Sequence, residues 1–325
     1  MTPGFPDKPL SDEAQRRLEV ATARSYCLQD YAAPEEELRR VARGRVDAAL
    51  ERLRGDAMTE PGRTVHETRK DMKKLRSLLR LVREGLGERT YRIESDRYRD
   101  AARLLSGPRD AEVKLKTLTD LLERHPDEAP AAGALRAILE QEREQLARSD
   151  QGSDLPRQIE QAAEVIAVGG AEIDRWELAG EGFELVGAGL KRAYGRGRRG
   201  LRTLRKDPSD EAVHEWRKRV KDLWYHLRIL RNTWPAPLEA AAAEAHKLSD
   251  LLGDHHDLAV LVEDAIKRAP DGAETEALTR LARGRQRELL DAAIPIGERL
   301  YAEKPEQFQR RVKIYWRTWT RAAQA

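Results

Sequence analysis

His66 and His214 open the same pattern, Val-His-Glu-x-Arg-Lys, and in both places further cations follow at recurring spacings. The stretches VHETRKDMKKLRSLLRLVRE, Val65 to Glu84, and VHEWRKRVKDLWYHLRILRN, Val213 to Asn232, are identical at 10 of 20 positions. A match of that length within one chain points to internal duplication. At about 100° per residue on a helix, His66, Arg69, Lys70, Lys73, Arg76, Arg80 and Arg83 share one side, opposite Leu75, Leu78, Leu79 and Val82. The second stretch sets His214, Arg217, Lys218, Lys221, Arg228 and Arg231 opposite Leu223, Leu227 and Leu230. One stripe is suited to packing. The other is a ladder of cations about 5 Å apart, which fits an extended chain of negative groups better than a compact anion. Arginine offers phosphate oxygens paired hydrogen bonds, and lysine offers point charge.

A lone histidine at a helix N-terminus is ordinarily bonded to local backbone. Recurrence at the same place in both ladders argues instead for ligand contact, and a nearby phosphate would favour the protonated ring. General acid catalysis would need a positioned nucleophile and usually a metal, and the sequence presents neither.

The charge distribution points the same way. The chain of 325 residues has a net charge of only +3, yet Lys191 to Arg231 holds 14 Lys/Arg against 5 Asp/Glu and Arg63 to Arg83 holds 8 against 2. Two basic blocks, of +9 and +6, therefore stand in a remainder of −12. Such separation suggests a polyanionic ligand rather than general stickiness. Cys27 is the only cysteine, so an internal disulfide or thiolate metal cluster is ruled out. No apolar run is long enough to span a bilayer, and the N-terminus lacks a basic-then-apolar signal, so a cytoplasmic protein without membrane contact is expected.

The elements that must position the ladders read as amphipathic helices throughout, with no strand signal. The first series is expected at about 11–26, 34–54, 65–84, 91–106, 110–124 and 131–149. The second is expected at about 181–205, 210–232, 237–252, 257–268, 274–290 and 305–323. Thr64, three residues before Glu67, predicts a capping box. Asp207-Pro208 is expected to start the second ladder, with Asp210 and Glu211 in its first turn. The repetition continues, since LLSGPRDAEV ends at Val113 and LLGDHHDLAV at Val260. Both place Leu-Leu before a short break and an aspartate, Asp110 or Asp257, after it as a cap. The expected fold is all-α: two similar antiparallel helical bundles with pseudo-two-fold symmetry around a basic central groove. Residues 1–30 would form a leader helix, 31–178 the first half and 179–325 the second, joined somewhere between Ser149 and Gly182.

The duplicated VHExRKxxKxLxxxLR helix and the later Leu-Leu-x-x-x-x-Asp segment resemble the conserved histidine α-helical domain, or CHAD, family, over roughly Glu35 to Trp316. The resemblance implies two helical bundles around a basic groove that binds inorganic polyphosphate, with association with polyphosphate granules. It implies that His66, Arg69, Lys70, Lys73, Arg80, His214, Arg217, Lys218, Lys221 and Arg228 line that groove. Lys70-Asp71-Met72-Lys73 and Lys218-Arg219-Val220-Lys221 depart from the family's usual Arg-Val and Arg-Arg, and His256-Asp257 replaces its Arg-Asp, which Arg109-Asp110 keeps. A leader of about 30 residues is too short for the triphosphate tunnel domain that some relatives carry.

Gly253 to Asp257 also reads as a metal motif, but the first copy has Gly-Pro-Arg-Asp there and arginine is no ligand. No metal and no other cofactor is expected, and a ligand role for His255 and His256 stays open. The most basic run, Arg192 to Lys206, is read as a helix beside the groove that brings Arg199, Arg202 and Arg205 to the ligand, its glycines letting backbone approach phosphate. Trp216, Trp224, Trp316 and Trp319 are read as packing or rim residues, and with no RNA-motif signature nucleic acid is disfavoured as a partner. The expected function is non-enzymatic binding of inorganic polyphosphate. A metal-dependent polyphosphate hydrolase and a nucleic-acid-binding helical protein are the competing readings, and no sequence feature assigns an oligomeric state.

Overall fold

The computed structural model describes residues 21–55, 57, 59–105, 109–127, 133–149, 155–268 and 272–322, with backbone only for 109–111 and 146–149. The protein is all-α: every regular element among the described residues is a helix. The first ten residues of the expected leader helix, 11–20, lie outside the described residues, and the helix ends by residue 24.

α1 spans Pro34–Gly55, opened by a proline whose fixed φ suits a first turn and by Glu35, Glu36 and Glu37, which oppose the positive end of the helix dipole. α2 spans Pro61–Leu81. It begins four residues before the expected Val65, because Pro61 takes the first helical position. Thr64 is therefore inside the helix, buried, with its amide on the Glu60 carbonyl at 3.0 Å. The predicted capping box does not form. One further turn, Arg83–Leu86, leads to Gly87 at φ +79°, a conformation that favours glycine, and then to α3, Glu88–Leu104.

α4 (Arg109–Glu123) and α5 (Gly133–Ser149) follow. The break expected at Gly107-Pro108 lies outside the described residues, as does the side chain of Asp110. α6, Leu155–Glu172, was not expected, since Gly169 and Gly170 read as breaks. Both glycines are instead packing positions. A Cβ on Gly169 would stand 2.8 Å from the Tyr98 hydroxyl, and one on Gly170 2.8 Å from Val46.

α7 (Glu184–Leu204) carries the glycine-arginine run as a helix. α8 (Asp210–Leu230) is capped by Ser209, whose Oγ accepts from the Ala212 amide at 3.3 Å, with Asp210 and Glu211 in the first turn. α9 runs unbroken over Pro235–Arg268 and so fuses two expected helices. Asp257 lies in its interior and caps nothing. Glycine inside a helix costs only about 1 kcal/mol, and at Gly253 the missing side chain makes room for Arg217, which a Cβ there would meet at 3.2 Å. α10 (Ala273–Leu300) passes through Pro295 instead of ending at Leu290. The residues beyond the proline pack on buried Trp216, which would be 2.6 Å from a Cβ at Gly297. α11 spans Pro305–Ala322.

Shifted by 148 residues, the separation of His66 and His214, α1 and α2 fall on α7 and α8, α3 with α4 on α9, α5 on α10 and α6 on α11. α1, α2, α3 and α6 pack together; α8 lies between α7 and α9, α10 on α9, and α11 on α7. One large core runs through both series, from Leu38, Met72 and Tyr98 to Trp216, Leu223 and Leu248. A smaller core joins α4 and α5 to α9 and α10 through Leu118, Leu121, Leu139, Leu261 and Leu278. Each fully buried leucine contributes roughly 1.5–3 kcal/mol. The apolar stripe of each ladder is thereby committed to the core, and its cations are left at the surface.

Candidate functional site

The two repeated helices, α2 and α8, touch through their C-terminal halves. The His226 ring nitrogen Nε2 is 2.9 Å from the Ser77 carbonyl, and Arg80 pairs with Asp222 at 2.7 Å. Tyr26 donates to the Lys74 carbonyl at 2.9 Å and meets Tyr225 edge-on at 6.1 Å. These contacts hold the two ladders in one relative position.

Arg69, Lys70 and Lys73 of α2 and Arg217 and Lys221 of α8 come together as a result. The Lys73 ammonium is pushed down by desolvation first, although the residue is exposed overall, and then by Arg69, Arg217 and Lys70. Half-buried Lys221 is pushed down to about 8, by burial first and then by Arg217 and Lys73, against the opposing pull of Asp250 and Asp257. Among the described residues no ion pair engages Arg69, Lys73, Arg217 or Lys221. The Arg217 Nε is buried and has no hydrogen-bond partner there. Crowded cations without acids to neutralise them are costly in the free protein and are relieved by a multivalent anion.

The glutamate of each Val-His-Glu triplet tethers the lysine three residues on. Glu67 meets Lys70 at 2.9 Å, and Glu215 meets Lys218 and, at 3.2 Å, Arg219. Each ladder also has one buried aspartate. Asp71 is held by Arg45 at 3.2 Å, Lys74 at 3.0 Å and Arg52, while Asp222 is held by Arg80 and, at 3.6 Å, Arg219. Under the 148-residue shift Asp71 occupies the place of Arg219, and Lys74 that of Asp222. The acid has changed ends of the pair.

The two histidines sit in different surroundings. His66 is half-buried, with Nε2 3.7 Å from Glu67. The His214 ring lies 4.2 Å from the His256 ring, and its Nδ1 is buried with no hydrogen-bond partner among the described residues. Burial first, then His256, Lys218 and Arg217, pushes His214 down, with Glu211 opposing. His256 is likewise pushed down by burial, then by Arg217 and Lys218, with Asp257 and Asp210 opposing. The expected upward shift thus requires a bound anion. His255, one residue away, turns to the other side of α9, where it is buried and its carbonyl accepts from Gln286 at 3.0 Å.

The remaining expected residues are divided. Arg76 is half-buried and pushed down by burial, then by Arg80 and Arg99. Arg83 pairs with Glu88 at 2.7 Å and lies 4.7 Å from the Tyr91 ring. Arg228 stacks over Tyr26 at 5.6 Å and Trp224 at 5.4 Å. Arg231 falls in the short helical turn Arg231–Thr233. On α7, Arg199 and Arg202 are exposed, and Arg205 pairs with Glu298. The α7 glycines do not open backbone to a ligand. A Cβ on Gly189 would stand 1.9 Å from the Leu81 carbonyl oxygen, one on Gly197 2.3 Å from the Tyr301 ring and one on Gly200 2.6 Å from Trp216. Trp216 and Trp316 are buried, whereas Trp224 and Trp319 are only partly covered.

Two residues, Arg196 and Arg192, were missed from the sequence, which leaves the role of a third, His256, open. Exposed Arg196 is pushed down by burial, then by Arg219, Arg199 and Arg83, so it joins α7 to the cations of α2 and α8. Arg192 pairs with Glu84 and is pushed down to about 10 by burial and neighbouring arginines. The place of His256 beside His214 is shown only once α9 is continuous and brings the two rings within 4.2 Å. The helical phase of Arg192 and Arg196, four residues apart on an arginine-rich helix, was the available signal for the first two.

An all-α protein whose two cationic Val-His-Glu-x-Arg-Lys helices meet through their C-terminal halves is the class these observations define. The CHAD domain family matches residues 40–265, and the chain belongs to that family. Compared with curated proteins, the chain matches none. Among the described residues no helix is long and apolar enough to cross a membrane.

Proposed function

We propose that this protein binds inorganic polyphosphate without hydrolysing it, in a groove lined by the two His/Arg/Lys helices of an internally duplicated domain. Residues 31–178 and 179–325 supply one ladder each, and the bound polymer directs the protein to polyphosphate granules. The observation that carries the reading is the convergence of Arg69, Lys73, Arg217 and Lys221 from two helices, with no ion pair to any of them among the described residues. Isolated arginine–acid pairs on a helix surface would be stable without a ligand. A crowd of cations stabilises an anion with many charges along its length.

Titration of the protein with long-chain polyphosphate at several salt concentrations tests this. Displaced counterions should give a log–log slope near −0.7 for each charge contacted, by analogy with single-stranded polyanions, and several contacts are expected. A slope equivalent to one or two charges would remove the extended groove. Release of orthophosphate on incubation with Mg²⁺ or Mn²⁺ would favour the hydrolase, and tighter binding of nucleic acid at equal charge concentration would favour a nucleic-acid protein.

A further inference from the structure

Asp210 opens α8 about one helical turn before His214, and α10 holds it there. Arg283 Nη1 lies 2.9 and 2.7 Å from the two Asp210 carboxylate oxygens and donates to Gln286 Oε1 at 2.9 Å. Buried Gln286 turns its amide nitrogen to the other two helices. Nε2 is 3.1 Å from Asp210 Oδ1 on α8 and 3.0 Å from the His255 carbonyl on α9. A side-chain amide has two N–H donors and one carbonyl. Here each donor has an acceptor on a different helix, and the carbonyl accepts from the arginine. Gln286 therefore ties α8 to α9 one residue before His256.

His256 is the residue that meets His214, ring to ring at 4.2 Å. The His214 Nδ1 is buried with no hydrogen-bond partner among the described residues, so no bond at that nitrogen sets the ring. Its distance from His256 depends on the rotation and register of α9 against the first turns of α8. The bridge of Asp210, His255, Arg283 and Gln286 fixes both. Only the second half of the chain has the residues for it. Shifted by 148 residues, Asp210, Arg283 and Gln286 fall on Gly62, Leu135 and Ile138, and His256 falls on Pro108. None of those side chains can make the bonds, and the place related to His256 holds no imidazole.

We propose that Arg283 and Gln286 are positioning residues: acting through Asp210 and the His255 carbonyl, they hold His214 against His256 and thereby make polyphosphate binding respond to pH at the second ladder. The inference rests on the reading of this surface as a polyphosphate-binding one. Held together, the two rings can each add a positive charge beside Arg217 and Lys218, where a polyanion would be bound more tightly. Apart, each ring is solvated and its charge is screened before it reaches the ligand. The charged groups that act on the rings are Glu211, Arg217 and Lys218 of α8, Asp257 of α9 and Asp210 itself, while Arg283 of α10 acts on His255. Gln286→Met keeps the volume of the buried side chain and alters none of these charges, so its effect on the pH response reports position. Arg283 is exposed, so Arg283→Met leaves the core intact and provides the test if Gln286→Met does not fold.

The full chain, with isotope-labelled histidine, is studied first without ligand by NMR. The unaltered protein should show a nuclear Overhauser contact between the ring protons of His214 and His256. Gln286→Met and Arg283→Met, shown to be folded by circular dichroism, should lose it, and Arg283→Lys, which returns a cation to Asp210, should keep it. Persistence of the contact in both methionine variants would overturn the positioning role. Titration with long-chain polyphosphate at pH 8 and pH 6 reads the consequence. The rise in affinity on acidification should be at least about twofold smaller in the methionine variants than in the unaltered protein; an equal rise would overturn the pH response. If polyphosphate binds and the contact survives both substitutions, this inference alone fails. If the unaltered protein binds no polyphosphate at either pH, the functional reading fails, and the ring contact still decides the positioning.

Discussion

Arg80 and Asp222 belong to different helices, α2 and α8, and the guanidinium places Nε at 2.9 Å and Nη2 at 2.7 Å from one carboxylate oxygen. The 148-residue shift carries Arg80 onto Arg228 and Asp222 onto Lys74, so the related place holds two cations and no acid. There the ring of Tyr26 replaces the carboxylate, with Arg228 at 5.6 Å and Lys74 at 6.0 Å from its centroid. An ion pair closes one side of the contact between the ladders, and cation–π attraction closes the other. The first is the stronger constraint, because both of its partners are largely withdrawn from water.

Asp222→Asn should therefore destabilise the protein by about 2–3 kcal/mol, since it leaves Arg80 partly buried beside Arg219 with no counter-charge. The urea midpoint at pH 7 measures this. A change below about 0.5 kcal/mol would mean that Arg80 swings into solvent and that the pair does not hold the helices.

His226 sets an acid limit on stability. It is fully buried, and burial pushes its pKa down to about 4. Between the unfolded value near 6.5 and that folded value, the unfolded chain binds more protons than the native one. Stability therefore falls as pH falls from about 6.5 towards 4, by on the order of 2–3 kcal/mol from this residue. Urea titrations at pH 7, 5.5 and 4.5 should show the decline, and His226→Gln should flatten it. An unchanged pH slope in the variant would assign the decline to other groups.

Binding should take up protons at the pair formed by His214 and His256. Both rings are held below their ordinary value in the free protein by burial and by cations, and a bound polyanion reverses the electrostatic part of that shift. Affinity for polyphosphate is expected to rise from pH 8 to pH 6. His214→Ala should lose more affinity at pH 6 than at pH 8, by roughly three- to tenfold at the lower pH. Calorimetry in buffers of different ionisation enthalpy would register the uptake. Equal losses at both pH values would leave His214 only a packing role.

Gly189 and Gly62 offer a test of the packing itself. A methyl group at Gly189 would overlap the Leu81 carbonyl, so Gly189→Ala should cost about 2 kcal/mol or more by separating α7 from α2. A Cβ at Gly62 meets nothing within 4 Å, in the first turn of α2. Gly62→Ala should be neutral or stabilising by up to about 1 kcal/mol. Thermal melts of the two variants should move in opposite directions, and a tolerated Gly189→Ala would contradict the close approach of the two helices.

The helical class, the family and the composition of each ladder were legible in the chain itself. Periodicity of 3.6 separates Leu75, Leu78 and Leu79 from Arg69, Lys73 and Arg80 without reference to any other part of the protein, and the recurrence of Val-His-Glu-x-Arg-Lys needs only counting. Helix ends were less legible where a local rule met a tertiary one. Gly253, Pro295 and the pair Gly169-Gly170 each carry a local breaking tendency of roughly 1–3 kcal/mol. Helices pass through all of them because Arg217, Trp216, Tyr98 and Val46 occupy the space that a larger side chain would need or pack on the turn beyond.

Which cations remain unneutralised was decided only by the tertiary structure. Nothing along the chain says that Arg80 meets an aspartate 142 residues away, that Arg205 meets Glu298, or that Lys73 of one helix helps push down Lys221 of another, with no ion pair to either among the described residues. The same holds for His256, whose apposition to His214 depends on α9 staying helical through Gly253. The sequence by itself determined that two amphipathic helices would each carry a stripe of positive charge, because amphipathicity is a property of successive residues on one helix. The packing of α2 against α8 determined which of those charges face a carboxylate and which face another cation, because that depends on distances between residues far apart in the chain.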